Sequence, residues 1–131
     1  MATNAEKLQQ ANWTEHKHAP LIECPDKVKA DEVFQITAGV GKDDVHPNTP
    51  EHHINYITLF FQAEGAKEPD QISQHEFTAH GESTNGTNQG SVYTQPEVTT
   101  SVKLSGSGTL LAVSSCNIHN LRGSKKAIRV V

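Results

Sequence analysis

The chain has 131 residues, the length of one ordinary domain. Charged residues make up 20% and hydrophobic residues 34%, and no apolar run approaches the roughly 18 residues that a membrane-spanning helix requires. The net charge of −4, with lysines and arginines scattered along the sequence, argues against a nucleic-acid partner. Because residues 1–7 lack the apolar segment of a secretory signal, we expect a cytoplasmic protein.

Strand patterns dominate the chain after residues 4–10, which could form one or two helical turns. The strongest pattern, at residues 54–61, has β-branched and aromatic residues on both faces, which favours a central place in a sheet. The other predicted strands lie at residues 33–38, 76–79, 91–94, 98–104, 109–115 and 127–131. Because turns rich in Gly, Pro and Asn separate these segments, the sequence predicts an all-β fold, an immunoglobulin-like β-sandwich of about seven strands.

Cysteine and histidine residues form the most informative pattern. Cys116 and His119 stand three residues apart after a predicted strand, where both side chains can turn toward one point. His46 and His52 flank an earlier loop that contains Pro and Asn, and His18 precedes them. Four histidines and one cysteine exceed the four ligands of a structural zinc site, and a thiolate with several imidazoles suits iron or copper. The set predicts a metal centre that performs redox chemistry.

The residues next to these candidates have predicted supporting roles. His53 adjoins His52, and adjacent residues of an extended segment point to opposite faces, so we expect only His52 to bind the metal and His53 to pack or support it. Backbone N–H groups of Asn117, Ile118 and Asn120 are placed to donate toward the cysteine sulfur, which would tune a thiolate ligand.

The second cysteine, Cys24, is predicted to behave as a small buried hydrophobe. A disulfide with Cys116 is disfavoured in a reducing compartment, and it would consume the only thiolate near the histidines.

Taken together, the motifs resemble the superoxide reductases of the one-iron neelaredoxin type, within the desulfoferrodoxin iron-binding domain family. Two-iron members carry an extra N-terminal domain with a four-cysteine iron site, whereas about a dozen cysteine-free residues precede the metal motifs here. We therefore expect a single domain over residues 1–131 with a short N-terminal extension at about residues 1–12. The resemblance spans nearly the whole chain, and its principal motifs are Lys17-His18-Ala19-Pro20, His46-Pro47-Asn48-Thr49, Glu51-His52-His53-Ile54, Phe77-Thr78-Ala79-His80-Gly81 and Cys116-Asn117-Ile118-His119.

The resemblance implies a mononuclear iron bound equatorially by His18, His46, His52 and His119 and axially by Cys116. It implies reduction of superoxide by one electron to hydrogen peroxide, a role in superoxide detoxification, and re-reduction by an external donor such as rubredoxin. It also implies a homotetramer, which is frequent in the family.

Lys17 matches a family lysine that attracts the superoxide anion and helps to organise proton delivery. A local cation is useful because the protein as a whole is net negative. Most members carry a glutamate just before this lysine as a ligand of resting ferric iron, whereas this chain has His16 there and Glu15 one residue earlier. The ferric sixth position therefore has several candidate occupants: Glu15, His16, or water or hydroxide, or it is left open. His80 matches the family pattern without being a ligand, so we expect a structural, hydrogen-bonding role.

Two other classes of function are compatible with parts of this pattern. A blue-copper electron carrier is also a β-sandwich with Cys and His near its C-terminus, but its usual weak axial ligand is methionine, and the only methionine here is Met1. A non-catalytic binding module would leave the ordered motifs as coincidence. Metal content separates the three classes, because the reductase would hold iron, the electron carrier copper, and the binding module zinc or no metal.

Overall fold

The structure, a computed structural model, describes residues 19–41 and 46–131. Within these ranges the chain forms strands and no helix, which confirms the predicted all-β sandwich. The helical turns predicted for residues 4–10 lie outside the described residues. Eight strands are present where about seven were expected: β1 (Leu21–Glu23), β2 (Lys27–Val28), β3 (Phe34–Gly39), β4 (Ile54–Ala63), β5 (Asp70–Glu76), β6 (Glu97–Val102), β7 (Gly108–Cys116) and β8 (Asn120–Val130).

The strands form two sheets. A three-stranded sheet has the order β1-β3-β6, and a five-stranded sheet has the order β2-β8-β7-β4-β5. β4 lies between β7 and β5, so the central position predicted for residues 54–61 is confirmed. Nothing in the described part of the chain is a helix long and apolar enough to cross a membrane.

The main core lies between the two sheets and includes the fully buried side chains of Ile36, Leu59 and Leu110. A second apolar cluster, centred on Phe60 and Val113, is also buried. Because successive residues of a strand point to opposite faces, β4 contributes Leu59 to the first cluster and Phe60 to the second. Burial on both faces explains why this strand is apolar almost throughout rather than alternating.

Two predicted strands are misplaced. The strand predicted at residues 76–79 is instead β5 over Asp70–Glu76, a mostly exposed edge strand whose polar residues give little strand signal. The segment predicted at residues 91–94 forms only an isolated bridge between Tyr93 and His80. Strands β1 and β2 were not predicted, because two or three residues are too few to show a periodicity.

The register between β4 and β7 brings the predicted metal residues to one end of the sandwich. The two strands are antiparallel, and Ile54 at the start of β4 lies opposite Cys116 at the end of β7. The loop of residues 46–53 therefore lies beside the turn of residues 117–119, which connects β7 to β8.

Candidate metal centre

Four side chains converge at this end of the sandwich: His46, His52, Cys116 and His119. Each offers one ligand atom, and these atoms all lie within 4.8 Å of one another. A metal ion with bonds of roughly 2.0–2.3 Å would hold opposite ligand atoms roughly 4–4.6 Å apart. The spacing and the mixed nitrogen and sulfur donors therefore fit one transition-metal ion, and we call this group the donor cluster.

The structure thus brings together four of the five predicted ligands. The fifth, His18, lies outside the described residues, as do Lys17, His16 and Glu15.

The end of β7 positions the cysteine and the last histidine. Cys116 is the final residue of the strand and only 3% exposed. The chain then turns, so that His119 Nδ1 lies 3.6 Å from Cys116 Sγ. Asn120 adopts a left-handed conformation with φ 61° as the chain enters β8, and asparagine tolerates this conformation better than most residues. The strand end and tight turn explain how residues three apart aim at one point.

The imidazole of His46 is buried and held in one tautomer. Its Nδ1 lies 2.6 Å from the carbonyl oxygen of Pro47, so Nδ1 must donate a proton there. Nε2 then carries the lone pair, and it lies 3.9 Å from Cys116 Sγ. Burial is the main cause that lowers the pKa of His46; the Pro47 carbonyl opposes the shift, and the charges of His52 and His119 add to it. The imidazole is therefore kept neutral, as a metal ligand must be.

A tight turn presents His52. The backbone N–H of His52 donates to the Thr49 carbonyl at 3.1 Å and the N–H of Thr49 to the His52 carbonyl at 2.9 Å, with Pro50 at the turn position that proline favours. The His52 ring packs edge-on against His46 and His119, at centroid distances of 4.6 and 5.0 Å. Burial, followed by the charge of His119, lowers the pKa of His52. This imidazole is also kept in its ligating, neutral form.

His53 points away from the donor cluster. Its Nδ1 donates to the Thr49 carbonyl at 2.8 Å, and its Nε2 lies 3.0 Å from Asn55 Oδ1. On its other side the ring stacks on His80, with centroids 3.8 Å apart. His53 therefore supports the loop that carries His52 and does not join the donors.

The expectation that the backbone N–H of Asn117 points to the sulfur is wrong. This N–H donates to the His53 carbonyl at 3.1 Å, because the antiparallel ladder between β4 and β7 continues one step beyond Cys116. The Asn117 side chain also bonds the loop: Oδ1 accepts from the His53 N–H at 2.8 Å, and Nδ2 donates to the Glu51 carbonyl at 2.9 Å. Sequence reasoning missed these contacts, for which an amide directly after a strand end was the only signal.

A second asparagine, also missed from the sequence, fixes the other end of the loop. Asn48 Oδ1 accepts from the backbone N–H of Ile54 at 3.1 Å. Asn48 Nδ2 donates to Thr94 Oγ1 at 2.6 Å and to the Thr94 carbonyl. The loop is thus attached both to the start of β4 and to the segment that precedes β6.

His80 has the structural, hydrogen-bonding role that we expected. It is 6% exposed, and its backbone N–H and Nδ1 bond the two carboxylate oxygens of Glu82 at 2.7 and 2.9 Å. These bonds, led by the backbone N–H, lower the pKa of Glu82 to about 2. A carboxylate–imidazole pair therefore holds the ring on which His53 stacks.

Cys24 is not one of the donors. Both cysteines are free thiols, and Cys24 is half-buried against the main core, where burial raises its pKa. Its packing agrees with the expected role of a small hydrophobe.

Comparison with known proteins gives a consistent result. A family model described as desulfoferrodoxin matches residues 10–124. The chain is 48% identical over 121 residues to neelaredoxin from Megalodesulfovibrio gigas, covering 92% of this chain and 93% of that protein. It is 44% identical over 117 residues to superoxide reductase from Pyrococcus furiosus, covering 89% and 92% of the two chains.

Solved structures show the same similarity. A Thermotoga maritima crystal structure, named provisionally as a superoxide reductase, superposes with a TM-score of 0.90 at 49% identity, covering 95% of this chain and 96% of the other. Because the family model matches most of the chain and these relatives exceed two-fifths identity over nearly their whole length, the chain belongs to the desulfoferrodoxin family.

Proposed function

We propose that the chain is a superoxide reductase that adds one electron to superoxide at a mononuclear iron and releases hydrogen peroxide. The proposed ligands are His18, His46, His52, Cys116 and His119. The observation that carries the proposal is the convergence of four of these donors within 4.8 Å at one end of the sandwich. Relatives named as superoxide reductases, similar over nearly the whole chain, support the same reaction.

Iron in this site would supply the single electron, and an external donor would return it to the ferrous state. The donor set suits that chemistry, because neutral imidazoles bind ferrous iron and a thiolate ligand donates electron density to the metal. The pKa values of His46 and His52, lowered mainly by burial, keep both rings unprotonated at neutral pH. Superoxide, one electron and two protons together give hydrogen peroxide, so the reaction balances with protons from solvent.

The burial of the donors is asymmetric. Cys116 and His46 are 3% and 6% exposed, whereas His52 and His119 are only partly buried. We infer that superoxide approaches from the side of the partly exposed imidazoles, while the sulfur stays away from solvent and from the peroxide product. Protection matters because exposed thiolates are readily oxidised by peroxide.

Attraction of the anion needs a local cation, since the chain carries a net charge of −4. We assign this role to Lys17, next to His18 in sequence. A cation at the mouth of a site raises the encounter rate in a salt-dependent manner.

The geometry disfavours the blue-copper alternative. Such sites use two histidines and one cysteine in a trigonal arrangement. Among the residues that the structure describes, three imidazoles already have a ligand nitrogen within 4.8 Å of Cys116 Sγ and of each other. The extra imidazole favours the higher coordination number that iron adopts.

Further features of the proposal follow the family resemblance. We propose a single domain over residues 1–131, a homotetrameric assembly, a cytoplasmic role in removing superoxide, and a small electron-transfer protein such as rubredoxin as the donor. The proposed reaction consumes one electron for each superoxide, so continued turnover requires such a donor.

Paired cysteine variants test the proposal. Reduced, iron-loaded protein should consume superoxide rapidly and acquire thiolate-to-iron charge-transfer absorption on oxidation. Cys116→Ala should lose the absorption and most of the reaction, whereas Cys24→Ala, which alters a half-buried thiol outside the donor cluster, should keep both. Equal activity and absorption in the two variants would refute the proposed ligand.

A further inference from the structure

The side-chain amide of Asn117 occupies an unusual place in the β4–β7 ladder. Ile54 pairs with Cys116, and the next rung is the bond from the Asn117 N–H to the His53 carbonyl. Beyond that point the main chain turns away to bring His119 back toward the sulfur. No backbone group of this segment is then in place to pair with the loop ahead of His53.

The amide of Asn117 substitutes for the lost peptide group. A side-chain amide has one carbonyl acceptor and an N–H donor, as a peptide does. Oδ1 takes the N–H of His53 at 2.8 Å, and Nδ2 donates to the carbonyl of Glu51 at 2.9 Å. The ladder is therefore extended by one step although the main chain has left it.

The two groups that Asn117 bonds flank His52. The Glu51 carbonyl lies on one side of His52 in the chain, and the His53 N–H lies on the other. Asn117 is itself joined covalently to Cys116. A rigid connection therefore runs from the backbone on both sides of one donor to the residue that follows another.

We propose that Asn117 is a positioning residue that fixes His52 relative to Cys116 and so sets the geometry of the donor cluster. This proposal rests on the proposed function only in taking the cluster to be a metal site. Hydrogen-bonded residues that orient metal ligands typically contribute about 10–100-fold to metal affinity. Because the Asn117 side chain is exposed and water competes for its bonds, we expect the lower end of that range.

Titration with Co²⁺ tests the proposal without superoxide. Metal-free protein would be titrated against a competing chelator, and the affinity and the energy of the thiolate-to-cobalt charge-transfer band would be recorded. We expect Asn117→Ala to bind Co²⁺ about tenfold more weakly and to shift the band, because His52 is displaced from the sulfur. Asn117→Asp keeps the acceptor for His53 but loses the donor to Glu51, so its affinity should fall between those of wild type and Asn117→Ala.

Asn88→Ala is the matched control. Asn88 Nδ2 bonds both carboxylate oxygens of Glu51 at 2.9 Å, so it contacts the same residue through its side chain and not through the backbone beside His52. Its cobalt affinity and band should equal those of wild type. The proposal is overturned if Asn117→Ala matches wild type in both readouts, or if Asn88→Ala weakens binding equally.

Melting of the metal-free variants separates positioning from folding. If Asn117→Ala does not fold, Asn117→Asp carries the test, and an unchanged affinity and band in that variant overturns the proposal. The cobalt titration uses no superoxide, so its outcome does not depend on the reaction. A wild-type protein that fails to reduce superoxide would contradict the proposed function and leave the positioning role of Asn117 intact.

Discussion

The imidazole of His53 stacks on that of His80, with ring centroids 3.8 Å apart and ring planes inclined by 11°. His53 directly follows the proposed ligand His52, and His80 is held by Glu82. The stack therefore connects the loop that carries a ligand to a segment almost 30 residues further along the chain. Contacts of this kind let residues outside the donor cluster determine how firmly the loop is held.

Glu82 should stabilise the fold in a pH-dependent manner. Its pKa is about 2 in the folded chain against an ordinary value of 4.5, chiefly because the His80 N–H bonds the carboxylate. A lowered carboxylate pKa gives stabilisation that is complete above pH 4.5 and is lost as the pH falls toward 2. Glu82→Gln should therefore melt below wild type at pH 5 and approach it near pH 3, in thermal melts of the metal-free protein. A constant difference would contradict the pKa shift.

The imidazoles of His46 and His52 should make the metal-free protein sensitive to mild acid. The pKa values of His46 and His52 lie below the ordinary 6.5 in the folded state, so the unfolded chain binds more protons below that pH. Stability should fall as the pH drops below 6.5 and stop falling once the pH is below the folded pKa values. His46→Gln should reduce the difference between melts at about pH 7.5 and about pH 5.5. The exposed His75, changed to Gln, is the control and should keep the wild-type difference.

Asn48 should be essential for anchoring the ligand loop. Asn48→Ala leaves the N–H of buried Ile54 without its hydrogen-bond acceptor, Asn48 Oδ1, which lies 3.1 Å away in the wild-type protein. An unsatisfied buried donor costs about 1–3 kcal/mol, and chemical denaturation should show a loss of that size. Thr94→Val, which removes only the hydroxyl bonded by Asn48 Nδ2, should cost less, because the Thr94 carbonyl still accepts from that amide. An equal or larger loss in Thr94→Val would show that the Ile54 contact is not the main anchor.

The family resemblance implies a glutamate at the position of His16 that binds the resting ferric iron. On that expectation, His16→Glu should leave the initial reaction of reduced protein with superoxide unchanged and should alter the ferric absorption spectrum. Stopped-flow mixing of wild type and variant with superoxide measures both. A large gain in the initial rate of the variant would show that the missing carboxylate limits superoxide reduction.

Much of the fold could be predicted because its central strands are apolar. The pattern at residues 54–61 and the run at residues 109–115 are buried on both faces and correspond to β4 and β7. β5 was misplaced because an exposed edge strand, Asp70–Glu76, needs few apolar residues. Its pairing is visible only in the register with β4.

The donor cluster could be predicted from spacing and residue type, but its support could not. Cys116 and His119 at a strand end, and His46 and His52 around a Pro-containing loop, gave the sequence signal. The role of Asn117 depends on the β4–β7 register and on where the main chain leaves the ladder, neither of which the local sequence reveals.

The yield of hydrogen peroxide per superoxide is the most direct test of the proposed reaction. Reduced, iron-loaded protein would be mixed with limiting superoxide, and peroxide, oxygen and the iron oxidation state would be followed together. We predict one peroxide for each superoxide, with iron oxidised and no oxygen released. Half that yield, accompanied by oxygen and continued turnover, would show dismutation and contradict the assignment as a reductase.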